Sequence, residues 1–277
     1  MTRLAIGIST CPNDTFAFHG LLCGAIEVPG IELEFSLADV EDLNGRLLGG
    51  TLDVAKISYH AALRAADRIS VLPAGSALGF GVGPLVLGSK SRADRTGTPR
   101  VLTPGALTTA ALLWEIFHRG EGAVHHVRFD TIPSSLSNGH AELGVCIHEA
   151  RFTWQSWGVD WVEDLGARWE AETGAALPLG GIAARSDLGH DALAALTHAI
   201  ARSIEYGHRH REAALATMRA HAQEQGDDAL WKHVELYVND QTLDLGSTGR
   251  SAIATLDRKA RDAGLVVGAA TLDVFTP

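Results

Sequence analysis

The chain has 277 residues, 46% of them hydrophobic, with a formal net charge of -10 and no block rich in Lys and Arg. That length can bury one large core or two smaller ones, and the acidic balance argues against a nucleic-acid or anionic-membrane partner, which leaves a globular enzyme or small-molecule binder. No apolar run approaches the roughly 20 residues that span a bilayer, the N-terminal M-T-R-L-A-I-G-I-S-T-C-P lacks the long apolar stretch of a secretory signal, and Cys11, Cys23 and Cys146 form no Cys-x-x-Cys pair, so a cytoplasmic protein with reduced thiols is expected.

Leu4 to Ser9 reads as a buried strand, Thr10 to Asp14 as a turn, and Thr15 to Cys23 as a helix. Asn13 and Asp14 thereby stand at a strand-to-helix junction, where free N–H groups and the helix dipole favour an anionic ligand. Both are equally ordinary as turn and N-cap residues. Ile31 to Leu37 alternates apolar and acidic positions as a second strand, and Asp39 to Leu48 reads as a helix capped by Asp39 and closed by Gly49 and Gly50. Leu52 to Tyr59 is a short strand that delivers Lys56, Ile57 and Ser58 to its carboxyl end. There Lys56 is either an edge-strand lysine with its ammonium in water or a ligand contact. Ser70 to Lys90 reads as a pair of strands bent around Gly79, Gly81 and Gly83, and Ser89 to Pro99 has the composition of a linker, where a crossing between lobes is placed.

Arg100 to Thr103 is the next strand, followed by a helix to about Phe117 that opens with Thr108, Thr109 and Ala110. Hydroxyls and unpaired N–H groups at such a start make a cradle for a carboxylate or phosphate. Val127 to Ile132 reads as a strand, Pro133 to Gly139 as a short helix start, and Ala141 to His148 as a further strand. In open α/β sheets ligands bind outside the carboxyl ends of strands. His148 is therefore either a titratable group facing a ligand or a hydrogen-bonded core residue, and position alone does not choose between them. Glu149 adjoins it but points to the opposite face of a strand, so it is not assigned as an orienting partner. Trp154, Trp157, Trp161 and Trp169 are read as packing residues, one of which near His148 is suited to stack on a flat ligand.

Trp161 to Leu165 and Leu179 to Arg185 read as strands, and the remainder as helices over Asp187 to Gly207, Arg211 to Gln225, Asp228 to Val238 and Ser247 to Ala263. The economical arrangement is an α/β fold of two lobes with a ligand cleft between them, residues 1–98 and 190–277 forming the larger, discontinuous lobe and 99–189 the smaller. His125, His126, His208 and His210 have no Cys or carboxylate partners at metal-ligand spacing, so no metal is expected. The phosphate-binding and nucleophile-elbow glycine motifs are absent from the sequence.

The motifs S-T-C-P-N-D-T-F at Ser9 to Phe16, D-V-E-D-L-N at Asp39 to Asn44, K-I-S-Y at Lys56 to Tyr59, G-F-G-V-G-P-L-V at Gly79 to Val86, T-P-G-A-L-T-T-A at Thr103 to Ala110 and I-H-E-A-R-F-T at Ile147 to Thr153 are individually weak. In this order, over nearly the whole chain, they resemble the 1,4-dihydroxy-6-naphthoate synthases of the futalosine route to menaquinone. The resemblance implies a type II periplasmic-binding-protein-like fold used as a cytoplasmic, cofactor-independent lyase, which converts cyclic de-hypoxanthine futalosine to 1,4-dihydroxy-6-naphthoate and dihydroxyacetone. It implies His148 as the proton acceptor, Lys56, Ile57 and Ser58 as one substrate-binding segment, and Thr109 with Ala110 as the other. Thr108, Asn13 and Asp14 join them from the cap and turn arguments above. The expected partner is a small molecule carrying a carboxylate, with neither nucleic acid nor membrane, and a homodimer is compatible with the sequence. Two rivals share the fold: a sister enzyme of the same pathway that dehydrates chorismate, and a non-catalytic small-molecule-binding protein. The H-E-A-R-F-T segment favours the naphthoate-forming step.

Overall fold

Apolar runs bounded by Gly, Pro and Asn turns set the strands of this chain, and apolar faces of helical period set the helices between them. The computed structural model describes residues 2–94, 96–148, 150–222 and 226–277. Glu149 and Gln225, on which sequence expectations fell, lie outside the described residues. From the N-terminus the chain runs through β1 (Thr2–Ser9), α1 (Pro12–Ala17), α2 (His19–Leu22), β2 (Ile31–Ala38), α3 (Val40–Leu48), β3 (Val54–Ser58), α4 (Tyr59–Arg64), β4 (Ile69–Val71) and β5 (Ala77–Gly79). It continues through β6 (Leu85–Gly88), β7 (Arg100–Thr103), α5 (Thr109–His118), β8 (Ala123–His126), α6 (Ile132–Ser137), β9 (Leu143–Cys146), α7 (Ala150–Thr153), β10 (Asp160–Asp164) and α8 (Leu165–Thr173). It ends with β11 (Leu177–Arg185), α9 (His190–Arg209), α10 (Arg211–His221), α11 (Asp227–Tyr237), α12 (Asp240–Leu243), α13 (Gly246–Asp262) and β12 (Asp273–Val274).

The strands form two sheets, as the two-lobed α/β reading expects. The larger has the order β12-β4-β11-β3-β1-β2 with β5 added on β11, and the smaller the order β10-β6-β9-β7-β8. Within them β1 runs parallel to β2 and β3, and β7 parallel to β8 and β9. Parallel sheets are buried on both faces. In the smaller sheet Leu85 and Leu87 pack with Leu102 and Ile132 on one side, while Val86 and Val101 join the main core on the other. Among the described residues no helix is long and apolar enough to cross a membrane.

Sheet membership changes along the chain between β5 and β6 and again between β10 and β11. The sequence placed the lobe boundaries later, at 98/99 and 189/190. β6 and β11 are both antiparallel return strands, β6 against β9 and β11 against β3 and β4. Their apolar runs suit a buried position in either sheet, so only the tertiary partner decides. Val127 to Ile132 is not a strand: β8 ends at His126, and a 3-10 turn over Phe129–Thr131 leads into α6. Pro12 opens α1 rather than lying within a turn over Thr10 to Asp14, because a first helical position has no use for the missing N–H. The helix α8 escaped the sequence reading; the Asp164 side chain caps it by accepting from the N–H groups of Gly166 and Ala167.

The crossing from β5 to β6 passes through Gly83, which lies directly on the start of α8. A Cβ at Gly83 would stand 2.2 Å from Gly166 Cα and 2.4 Å from Gly166 N. Backbone meets backbone there, and neither can swing aside as a side chain would. Gly83→Ala is therefore expected to lower stability by about 1–3 kcal/mol, read as a lower denaturant midpoint at unchanged slope. A midpoint equal to wild type would show that the crossing yields without cost.

Candidate functional site

The carboxyl ends of β1, β3 and β9 and the first residues of α5 border one cleft, with about 740 Å³ of empty space counted to its open mouth. Of the residues singled out from the sequence, His148, Lys56, Ser58, Thr108, Thr109, Ala110, Asn13 and Asp14 all line it. Ile57 does not. Successive strand residues face opposite ways, so while Lys56 and Ser58 face the cleft, Ile57 is 1% exposed and sits in the hydrophobic core.

Lys56 is buried, and its ammonium is engaged by protein. Nζ donates to Asp14 Oδ1 at 2.6 Å and to the Gly75 carbonyl at 3.0 Å. Asp14 in turn accepts from Ser9 Oγ at 2.5 Å and Asn13 Nδ2 at 2.8 Å. The β1–α1 junction thus already holds a carboxylate, its own, matched by a buried cation. An anionic ligand meets a neutral pair there rather than an open anion site, which revises the expectation for Asn13 and Asp14.

The D-V-E-D-L-N motif braces this wall. Asp39 caps α3 by accepting from Glu41 N at 2.9 Å. Asn44 donates Nδ2 to Ser58 Oγ at 3.2 Å and accepts from Ser58 N at 2.8 Å. Glu41 accepts the Leu107 N–H through both carboxylate oxygens, at 3.0 and 3.2 Å. It lies so close to Gly105 (φ 119°) that a Cβ there would be 2.5 Å from Glu41 Cδ. Helix α3 thereby fixes both the end of β3 and the loop that opens α5.

At that opening the hydroxyls are occupied. Thr108 caps α5, accepting from Ala111 N at 3.2 Å and donating to the Gly105 carbonyl at 3.0 Å. Thr109 Oγ1 donates to the Leu179 carbonyl at 2.6 Å and accepts from His60 N at 3.4 Å. The first backbone N–H groups of the helix, those of Thr109 and Ala110, have no intrahelical acceptor and sit at the positive end of its dipole. A carboxylate brought to this helix start would meet N–H groups rather than free hydroxyls.

His148 stands two residues beyond β9 in the left-handed region, φ 58°, the only non-glycine residue with positive φ among the described residues. Such a conformation is stored strain that surrounding contacts must hold in place. Cys11 Sγ contacts His148 Nδ1 at 3.1 Å, and the Phe129 ring meets the imidazole edge-on with centroids 4.6 Å apart. Cys11 comes from the larger sheet's β1–α1 junction and His148 from the smaller sheet, so the histidine is held where the two meet.

The sequence reading missed several residues of the cleft wall. Cys11 and Arg151 lay inside quoted motifs, and that was the available signal. Arg151 Nη2 donates to the Gly83 carbonyl at 2.7 Å and pairs with Asp164 Oδ2 at 2.9 Å, tying the histidine segment to the crossing. His233, on α11, lies in no motif. Two buried histidines are held neutral. Burial, then the Arg64 charge, pushes His60 down to about 4. Burial, then the charges of His148 and Lys56, pushes His233 down to about 3.

The family described as menaquinone biosynthesis matches residues 4–262. A 1,4-dihydroxy-6-naphthoate synthase of Thermus thermophilus is 46% identical over 265 residues, covering 96% of this chain and 96% of that protein. One of Streptomyces coelicolor is 39% identical over 269 residues, covering 95% and 94% respectively. Among solved structures, a protein of Archaeoglobus fulgidus matches with a TM-score of 0.87 at 26% identity, over 95% of this chain and 98% of that one. The ligand-binding component of an ABC-type import system from Staphylococcus aureus matches at 0.71 and 17%, over 100% and 97%. The periplasmic-binding-protein-like fold expected from the sequence is the fold observed.

Thr109→Val removes the donor to Leu179 and the acceptor for His60, so it is expected to cost about 1–2 kcal/mol of stability. Equilibrium unfolding checks this, and an unchanged midpoint would return the hydroxyl to ligand binding. His60 and His233 give a second expectation. Between about pH 4 and 6.5 the unfolded chain binds protons that these folded-state imidazoles refuse, so stability falls as pH drops through that window, by at most about 1.4 kcal/mol per pH unit for each histidine. Unfolding free energies that are equal at pH 7 and pH 5 would contradict it.

Proposed function

The chain belongs to the menaquinone-biosynthesis family of enzymes, and on that premise we propose that it is the lyase that converts cyclic de-hypoxanthine futalosine to 1,4-dihydroxy-6-naphthoate and dihydroxyacetone, with His148 as general base. The observation that carries the role of His148 is its backbone: a strained, left-handed histidine presented to a cleft at the end of a strand is what a positioned catalytic group looks like. A neutral imidazole accepts a proton at ordinary pH, and removing one next to a carbonyl needs a base within hydrogen-bond reach.

The rest of the cleft suits the remaining steps. Val40, Val82, Ile147 and Leu179 line it with apolar surface for a flat bicyclic ring. The N–H groups of Thr109 and Ala110 take the substrate carboxylate, which fixes the ring against the base. Proton removal builds negative charge on the carbonyl oxygen, and preorganised donors in a water-poor cleft stabilise it better than water does. Lys56, held rigid by Asp14 and Gly75, is such a donor in the wall. Loss of the three-carbon fragment then lets the ring aromatise, which draws the reaction forward. The partner in this reading is a small carboxylate-bearing molecule, and the reaction runs in the cytoplasm.

Incubation with cyclic de-hypoxanthine futalosine and, separately, with chorismate tests the function. Naphthoate formation from the first and no reaction of the second is the expected result. His148→Asn keeps polarity and tolerates positive φ, so it should fold and bind normally while turnover falls by about 10²- to 10⁴-fold. A well-folded variant with wild-type turnover would remove His148 from the mechanism.

A further inference from the structure

His233 is a titratable residue of the cleft to which the reaction as described gives no role. It is 4% exposed, and both Nδ1 and Nε2 are buried without a hydrogen-bond partner. Native proteins keep few buried polar groups unsatisfied, and one that borders a ligand cleft points to a ligand as the missing partner. The ring rests against Tyr237, centroids 4.5 Å apart, and Tyr237 lines the same cleft. Buried beside the cationic Lys56 and beside His148, it stays neutral and so presents one N–H donor and one lone pair.

Its place along the cleft narrows what that ligand group is. A second cavity, with about 470 Å³ of empty space counted to its mouth, adjoins the cleft, and the lining the two share is Cys11, His148 and His233. Thr108, Thr109 and Ala110 border the first cavity only. His233 therefore stands at the His148 end, away from the N–H groups that take the carboxylate. A neutral imidazole with a lone pair repels an anion on one of its two nitrogens. It is satisfied by uncharged groups: a hydroxyl or carbonyl oxygen accepts from its N–H, and a hydroxyl donates to its lone pair.

We infer that His233 is a specificity-determining residue that hydrogen-bonds the uncharged, hydroxyl- and carbonyl-bearing end of the substrate, the part that departs as the three-carbon fragment. The inference rests on the lyase reading above for which end that is. The naphthoate product lacks this part, so His233 distinguishes substrate from product and favours product release.

The test compares wild type, His233→Phe and His233→Gln for KM and kcat with cyclic de-hypoxanthine futalosine, for inhibition by 1,4-dihydroxy-6-naphthoate, and for melting temperature. His233→Phe fills the space and leaves no unpaired nitrogen, so its melting temperature should equal or exceed that of wild type. Its KM should rise by about tenfold or more, with product inhibition within about threefold of wild type. His233→Gln, which keeps a donor and an acceptor, should recover part of the loss, and it carries the comparison alone should His233→Phe fail to fold. An unchanged KM, or equal weakening for substrate and product, overturns the inference while leaving the lyase reading intact. A wild-type protein that does not convert this substrate overturns both.

Discussion

The buried ion pair between Lys56 and Asp14 is the contact on which the cleft depends. Both side chains are almost wholly enclosed, at 6% and 4% exposure. Removing one partner of such a pair leaves an uncompensated buried charge, at a cost of about 3–5 kcal/mol. The pair joins the end of β3 to the first turn of α1, and through the Gly75 carbonyl it reaches the loop before β5. Three segments far apart in sequence are thereby fixed on one side of the cleft. The pair also sets the electrostatics. Because the Asp14 charge is matched, this wall neither draws nor repels a carboxylate strongly, which leaves the positive end of α5 as the electrostatically favoured place for one.

Opposite that wall, His148 gathers contacts from both sheets. Its backbone follows β9 of the smaller sheet, while Cys11 reaches it from the larger one. Glu41 makes a second bridge across the same line, from α3 to the N–H of Leu107. The geometry of His148 is therefore coupled to how the two sheets sit against each other. The fold is shared with the ligand-binding component of an ABC-type import system. Here its cleft carries a strained histidine.

Much of this was legible in the sequence. Strands β1, β3, β7 and β9 announce themselves as apolar runs ended by turn residues, β2 by its alternation of apolar and acidic positions, and the Asp39 cap of α3 is where it was expected. The sheet that a return strand joins was not legible, because a strand such as β11 carries no local mark of it. β8 was misplaced because its four residues include two histidines and are mostly exposed, which is the composition of a loop. The site was legible where motifs clustered: the side chains of Lys56 and Ser58 follow from strand alternation, which also excludes Ile57. The occupied hydroxyls of Thr108 and Thr109 could not be read, since Gly105 and Leu179 meet them only in the folded chain. His233 could not be read either, because nothing in a helix of ordinary period shows that one of its residues ends in a cleft.

The central claim is that one molecule lies with its carboxylate at the start of α5 and its acidic carbon against His148. A crystal structure of the His148→Asn protein soaked with unreacted cyclic de-hypoxanthine futalosine tests this most directly. The predicted result is a carboxylate on the N–H groups of Thr109 and Ala110, with the carbon that loses its proton about 3–3.5 Å from the substituted side chain. A substrate bound in the reverse orientation, or with that carbon remote from position 148, would contradict the account.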